Sequence, residues 1–200
     1  MTTARITFSS TPVKITESPL PGVFVIEPRV HGDARGFFVE TFRESLLAEA
    51  GLPTRFVQDN HSRSRRGILR GLHYQLEQPQ GKLVRVSRGR VFDVAVDVRR
   101  GSPCFGRWFG MELDDRDQRM MFIPQGFAHG YLVLSEEADF TYKCTNYYHP
   151  ASERGVAWND PEIAIDWPEI GTPNLSTKDE RLPTLAQADV PDYTESSRDR

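Results

Sequence analysis

The sequence predicts an all-β domain built as a jelly roll, two antiparallel sheets closing over a central cavity. Three observations predict it. Strand-like runs recur about every 8 to 12 residues from Gly22 to Thr145, with almost no helical pattern between them. Gly (15) and Pro (14) supply the many turns such a fold needs. Phe (12), Tyr (6) and Trp (3) provide bulky core material that disordered chains lack, although hydrophobic residues are only 38% of the total. A length of 200 residues suits one domain. It divides into an N-terminal extension at 1–20, a jelly-roll core at 21–160 and a Pro-rich wrap and tail at 161–200.

Residues 1–20 are rich in Ser, Thr and Pro and read as an arm extending away from the core. Runs at 22–26 and 36–42 read as the first strands. The stretch 44–50 is the one convincing helix; Gly51 stops it and Pro53 follows. Strands are then expected at 56–62, 68–75 and 82–87. Residues 91–97 form a nearly continuous apolar run, which reads as a strand buried on both faces. Runs at 105–113, 120–123, 130–134 and 140–145 complete the series. Gly101-Ser-Pro103, Asp114-Asp115, Pro124-Gln-Gly126 and Ser135-Glu-Glu137 break the runs as turns. After Asn159 come Pro161, Pro168, Pro173, Pro183 and Pro191, so this segment is expected to wrap the sheets with a few short peripheral helices rather than join them.

Several function classes are excluded early. The net charge is −3, which offers no broad basic field for nucleic acid. The short basic run Arg63, Arg65, Arg66 and Arg70 leaves room for a local anion site. No apolar run approaches the roughly 20 residues that span a bilayer, and the first residues lack an apolar stretch of signal-peptide length. Cys104 and Cys144 form no C-x-x-C pair, so a reduced, cytoplasmic protein is the default expectation.

Three motifs could carry chemistry. Gln58-Asp-Asn-His-Ser62 leads into Leu69-Arg-Gly-Leu-His-Tyr-Gln75. In a regular strand Leu69, Gly71, His73 and Gln75 share a face, and Arg70 lies on the other. A glycine beside an inward polar residue suggests that something approaches the backbone closely. His73 alone more often satisfies a core hydrogen bond than does chemistry. Lys82 heads the next strand, where lysines are usually solvated. Tyr142 shares a face with Phe140 and Cys144 and points inward, where tyrosines mostly pack. A cupin-type metal site needs a His-x-His pair, which is absent, and His129 stands alone. Nucleophile elbows and phosphate-cradling glycine loops are also absent. A bound nucleotide would therefore need Arg for its phosphates and an aromatic for its base.

Taken in order, the motifs resemble those of the dTDP-4-dehydrorhamnose 3,5-epimerase family. The matching pieces include Asp33-Ala-Arg-Gly-Phe-Phe38, Gln58-Asp-Asn-His-Ser62, Gly67-Ile-Leu-Arg-Gly-Leu-His-Tyr-Gln75 and Gly81-Lys82. They continue with Gly89-Arg-Val-Phe-Asp-Val-Ala-Val-Asp-Val-Arg99, Phe105-Gly-Arg-Trp108, Pro124-Gln-Gly-Phe-Ala-His-Gly130, Tyr142-Lys-Cys144, Trp158-Asn-Asp-Pro161 and Leu175-Ser-Thr-Lys-Asp179. The resemblance spans about 20–183.

This resemblance implies a cupin-like jelly roll acting as a homodimer, with no metal and no cofactor. The implied substrate is a dTDP-sugar with a ketone at C4, and the implied reaction inverts C3 and C5. It implies that His73 is the base and Asp179 orients it. Lys82 would hold the enolate oxygen, and Tyr142 would return the proton from the opposite face. Arg35, Arg70 and Lys178 are implied contacts to diphosphate or sugar. Glu40, Gln58, Asp59 and Asn60 are implied polar contacts to the nucleotide. Tyr148 is implied to stack on thymine, with His129 and Glu153 as further substrate contacts. Epimerases acting at C3 or C5 alone share these residue types, and a silent sugar-nucleotide binder is the remaining alternative.

Overall fold

The computed structural model describes residues 13–193. The strands in chain order are β1 (Lys14–Glu17), β2 (Phe24–Glu27), β3 (Val30–Asp33), β4 (Gly36–Val39), β5 (Gln58–Arg65), β6 (Leu69–Gln75) and β7 (Lys82–Arg88). They continue with β8 (Arg90–Asp97), β9 (Trp108–Asp114), β10 (Met120–Ile123), β11 (Phe127–Val133), β12 (Glu137–Cys144) and β13 (Glu153–Gly155). One short helix, α1 (Glu44–Glu49), lies between β4 and β5. The strands form two facing antiparallel sheets, β1-β2-β10-β7-β12-β5 and β13-β6-β11-β8-β9, and β3 and β4 make a separate hairpin. The architecture is a cupin-like jelly roll. Among the described residues no helix is long and apolar enough to cross a membrane.

Period-2 alternation builds the space between the sheets. Val84 and Val86 of β7 and Phe140 of β12 meet Val91 and Ala95 of β8 and Tyr131 and Val133 of β11. The opposite face of β8 carries Val94 and Val96, and Ile163, Leu185, Ala188 and Val190 from the C-terminal segment cover it. This double cover is why β8 reads as a continuous apolar run. On the outer face of the six-stranded sheet, Leu47 of α1 and Leu52 pack on Ile26, Leu83, Met120 and Phe122.

The expected arm differs within the described part. Lys14–Glu17 pairs with β2, and Leu20 is buried, because Ile15 and Leu20 have apolar partners beside them. Residues 1–12 and 194–200 lie outside the described residues. Strands β1, β3 and β13 are not expected from the sequence; each has only three or four residues, too few for alternation to register.

The regular-strand expectation for residues 69–75 is overturned. His129 of β11 faces His73, yet Tyr131 faces Arg70, so β6 carries one extra residue at this point. Gly71 adopts φ +122°, and a Cβ on it would sit 2.5 Å from the Gly130 Cα. The bulge reverses the alternation, as bulges do. Leu69 packs on the outside with Leu132 and Leu134, while Arg70, His73 and Gln75 point between the sheets.

Candidate active site

Five inward strands and one C-terminal turn supply the site. His73 comes from β6, in the five-stranded sheet. Its Nε2 meets Asp179 Oδ1 at 2.7 Å. Asp179 opens a 3-10 turn (Asp179–Arg181) in the wrapping segment and is only 5% exposed. Burial acts to raise its carboxyl, but the His73 hydrogen bond and charge, with help from Ser176 and the Gly71 backbone, outweigh burial and hold it below the ordinary carboxylate value. An ionised Asp179 can only accept, so the proton of the pair sits on His73 Nε2 and Nδ1 keeps its lone pair. The aspartate thus sets the tautomer that a base requires.

Across the gap, β12 presents Tyr142 from the opposing sheet. Burial pushes its phenol up to about 12, with Cys144 and Tyr131 adding to the effect. The hydroxyl therefore keeps its proton at neutral pH. Lys82 opens β7, two strands' width from β5, and pairs in register with Cys144. It is buried, and none of the hydrogen bonds among the described residues engages its ammonium. Burial lowers its pKa, while Cys144, Asp93 and Glu153 oppose that shift. A desolvated cation without a fixed partner is poised to receive a developing negative charge.

His129 lies beside His73 in the β6–β11 register. Its Nε2 meets the fully buried Asp93 Oδ1 at 2.8 Å. Burial lowers the His129 pKa although Asp93 pulls the other way. The sequence reading missed Asp93; its signal was a carboxylate inside the apolar run of β8. Phe140 stacks between His129, at 5.8 Å, and Tyr131, at 4.1 Å between centroids, and these rings floor the cavity. Arg70 Nε donates to Ser64 Oγ at 3.0 Å, and Arg70 lines a cleft of about 440 Å³ with His73, Lys178 and Asp179.

A second cluster sits at the rim. Lys178 Nζ and the Tyr148 hydroxyl each lie 2.6 Å from Glu153 Oε2. Burial acts to raise the Glu153 carboxyl, but these two partners and the His73 charge hold it below the usual value. Gln58 Oε1 accepts the Tyr148 N–H at 2.8 Å, its Nε2 donates to Asn60 Oδ1 at 3.1 Å, and Asn60 reaches Cys144 Sγ at 3.6 Å.

Three of the expected contacts do not join these clusters within one chain. Asp59 alternates away from Gln58 and Asn60 and pairs with Lys143 on the outer sheet face. Arg35 sits on the β3–β4 hairpin, paired only with Asp33 among the described residues. Glu40 pairs with Arg43. No group of three or more His, Cys, Asp or Glu among the described residues is arranged to hold a metal ion.

Comparison with known proteins agrees with this geometry. The family model for dTDP-4-dehydrorhamnose 3,5-epimerase matches residues 17–187. A dTDP-4-dehydrorhamnose 3,5-epimerase of Pseudomonas aeruginosa is 56% identical over 178 residues, covering 88% of this chain and 98% of that one. A dTDP-4-dehydrorhamnose 3-epimerase of Streptomyces niveus is 44% identical over 171 residues, covering 84% of this chain and 82% of its own. Among solved structures, dTDP-6-deoxy-D-glucose-3,5-epimerase of Legionella pneumophila, in complex with dTDP-4-keto-L-rhamnose, superposes with a TM-score of 0.89. It shares 50% identity and covers 92% of this chain and 100% of its own. In sequence, in fold and in the length matched, the chain belongs to the dTDP-4-dehydrorhamnose 3,5-epimerase family of isomerases.

Proposed function

We propose that the protein inverts both C3 and C5 of dTDP-4-dehydro-6-deoxy-D-glucose, giving dTDP-4-dehydro-L-rhamnose without a cofactor. One observation carries the mechanism: the His73–Asp179 pair and the protonated Tyr142 come from opposing sheets. Each carbon lies next to the C4 ketone, so its C–H is weakly acidic. His73 Nδ1 removes the proton, and the electron pair moves into an enolate whose oxygen Lys82 stabilises. Asp179 stabilises the imidazolium that results. Tyr142 then protonates the carbon from the other face, which inverts the centre. Solvent takes the proton from His73 and restores the one lost by Tyr142. The sequence repeats at the second carbon. A base alone would return the proton to the face it came from.

Binding follows the same logic. Arg70 and Lys178 offer cations to the diphosphate, and the half-exposed Tyr148 ring offers a flat surface to thymine. Asn60, His129 and Glu153 line the path between. Arg35 and Glu40 act from a second copy of the chain. Phe37 and Phe38 are 58% and 68% exposed on a hairpin that joins neither sheet, an arrangement that suits docking on a homodimer partner. Both cysteines are free, in keeping with a reduced cytoplasmic setting.

The test is isotope exchange from D₂O into the 4-keto sugar nucleotide, without a reductase. Deuterium at C3 and C5 is the expected result. Label at C3 alone would assign the enzyme to the 3-epimerase type, and no label with tight binding would leave a silent binder.

A further inference from the structure

We propose that Gln75 is the positioning residue for Tyr148, fixing the aromatic ring at the rim before substrate arrives. Gln75 ends β6 and is 5% exposed. Its Nε2 donates to the carbonyls of Gln78, at 2.9 Å, and Tyr147, at 3.2 Å. Its Oε1 accepts the His149 N–H at 3.0 Å. Gln58 accepts the N–H of Tyr148 itself. Three successive residues, 147 to 149, therefore each commit one backbone polar group to a glutamine amide. One amide comes from each sheet, so the loop is held from both sides.

The other end of the ring is tied through the same strand. Gln75 pairs in register with Glu153, whose Oε2 accepts the Tyr148 hydroxyl. The ring is exposed while its backbone and hydroxyl are both fixed. That combination reduces the ordering a loop would otherwise undergo on binding, which improves affinity without adding a contact. A hydrocarbon in place of the amide would leave the His149 N–H and two carbonyls without their partner.

This proposal rests on Tyr148 being the base-stacking residue, and the experiment separates the two. The probe is dTDP alone, titrated calorimetrically into the parent, Gln75→Met, Tyr148→Ala and the double variant. Gln75→Met should weaken dTDP binding by about 10-fold and raise the substrate KM alike, with kcat at saturation nearly unchanged. It should add almost nothing in the Tyr148→Ala background. Unchanged affinity in Gln75→Met while Tyr148→Ala weakens binding would overturn the Gln75 proposal alone. So would losses that simply add. Unchanged affinity in Tyr148→Ala would remove the stacking role itself and the proposal with it. Should Gln75→Met fail to fold, the parent still tests the idea by amide exchange. Without ligand, the Tyr148 and His149 amides should exchange at least about 100-fold more slowly than unstructured chain. Unprotected exchange there would overturn it.

Discussion

His73, Tyr142 and Lys82 present three different electrostatic problems, and each has its own signature. Asp179 fixes the His73 proton on Nε2, so His73→Asn should reduce deuterium exchange at both carbons by about 10² to 10⁴-fold. Full exchange in that variant would remove the base assignment. Tyr142 acts after proton removal, so Tyr142→Phe should suppress net inversion more than washout; equal losses would argue against it as the acid. The alkaline side of the pH profile separates Lys82 from Tyr142. Lys82 works as a cation, and burial lowers its pKa from 10.5, so activity should fall as pH rises through a value below that of a free lysine. Tyr142 keeps its proton to about 12 and sets no limb there. Lys82→Arg, permanently charged, should move the limb upward in kcat/KM; an unmoved limb would assign it elsewhere. At this scale the alternation in β12 made the inward face of Tyr142 legible. The His129–Asp93 pair was not, because no local pattern links residues 36 apart.

Strands read well where alternation is regular and poorly where one residue interrupts it. The β6 bulge is the instructive case: a period of two puts Arg70 and His73 on opposite faces, and one extra residue brings them together. Gly71 and Gly130 flag the bulge in the sequence, but only the cross-strand contact says why both must be glycine. The C-terminal segment is a similar case. Its prolines signal a wrap, yet they do not say that the wrap delivers Asp179 to His73. Asp160 anchors this segment: its Oδ1 accepts the Glu162 and Ile163 N–H groups and its Oδ2 accepts the Leu185 N–H at 2.7 Å. Asp160→Ala leaves buried donors unpaired, each worth about 1–3 kcal/mol. The expected outcome is a lower denaturation midpoint together with a reduced kcat, because Asp179 rides on the anchored segment. A lower midpoint with kcat unchanged would separate the anchor from the site.

At the scale of the whole molecule, a single chain explains the His73 cavity but not Arg35 or Glu40. Both belong to motif positions that the sequence marks as binding residues, yet Arg35 sits on a hairpin that packs on neither sheet. Sequence pattern carries no information about which copy a residue serves, so this division was not legible. The exposed Phe37 and Phe38 say how it is resolved: they are the apolar face by which the hairpin docks on a second chain. Replacing both with Ser should yield monomers in light scattering and raise KM. A sharper test uses two damaged chains. Arg35→Ala lacks the donated cation but keeps its own His73; His73→Asn lacks the base but keeps Arg35. Each alone should be poor at low substrate concentration. In a mixed dimer, the site built on the Arg35→Ala chain receives Arg35 from the His73→Asn chain and is whole. Random re-assortment of equal amounts should therefore recover about a quarter of the parent activity. No recovery, with mixed dimers demonstrated by mass, would mean that Arg35 serves its own chain and that the hairpin does not cross.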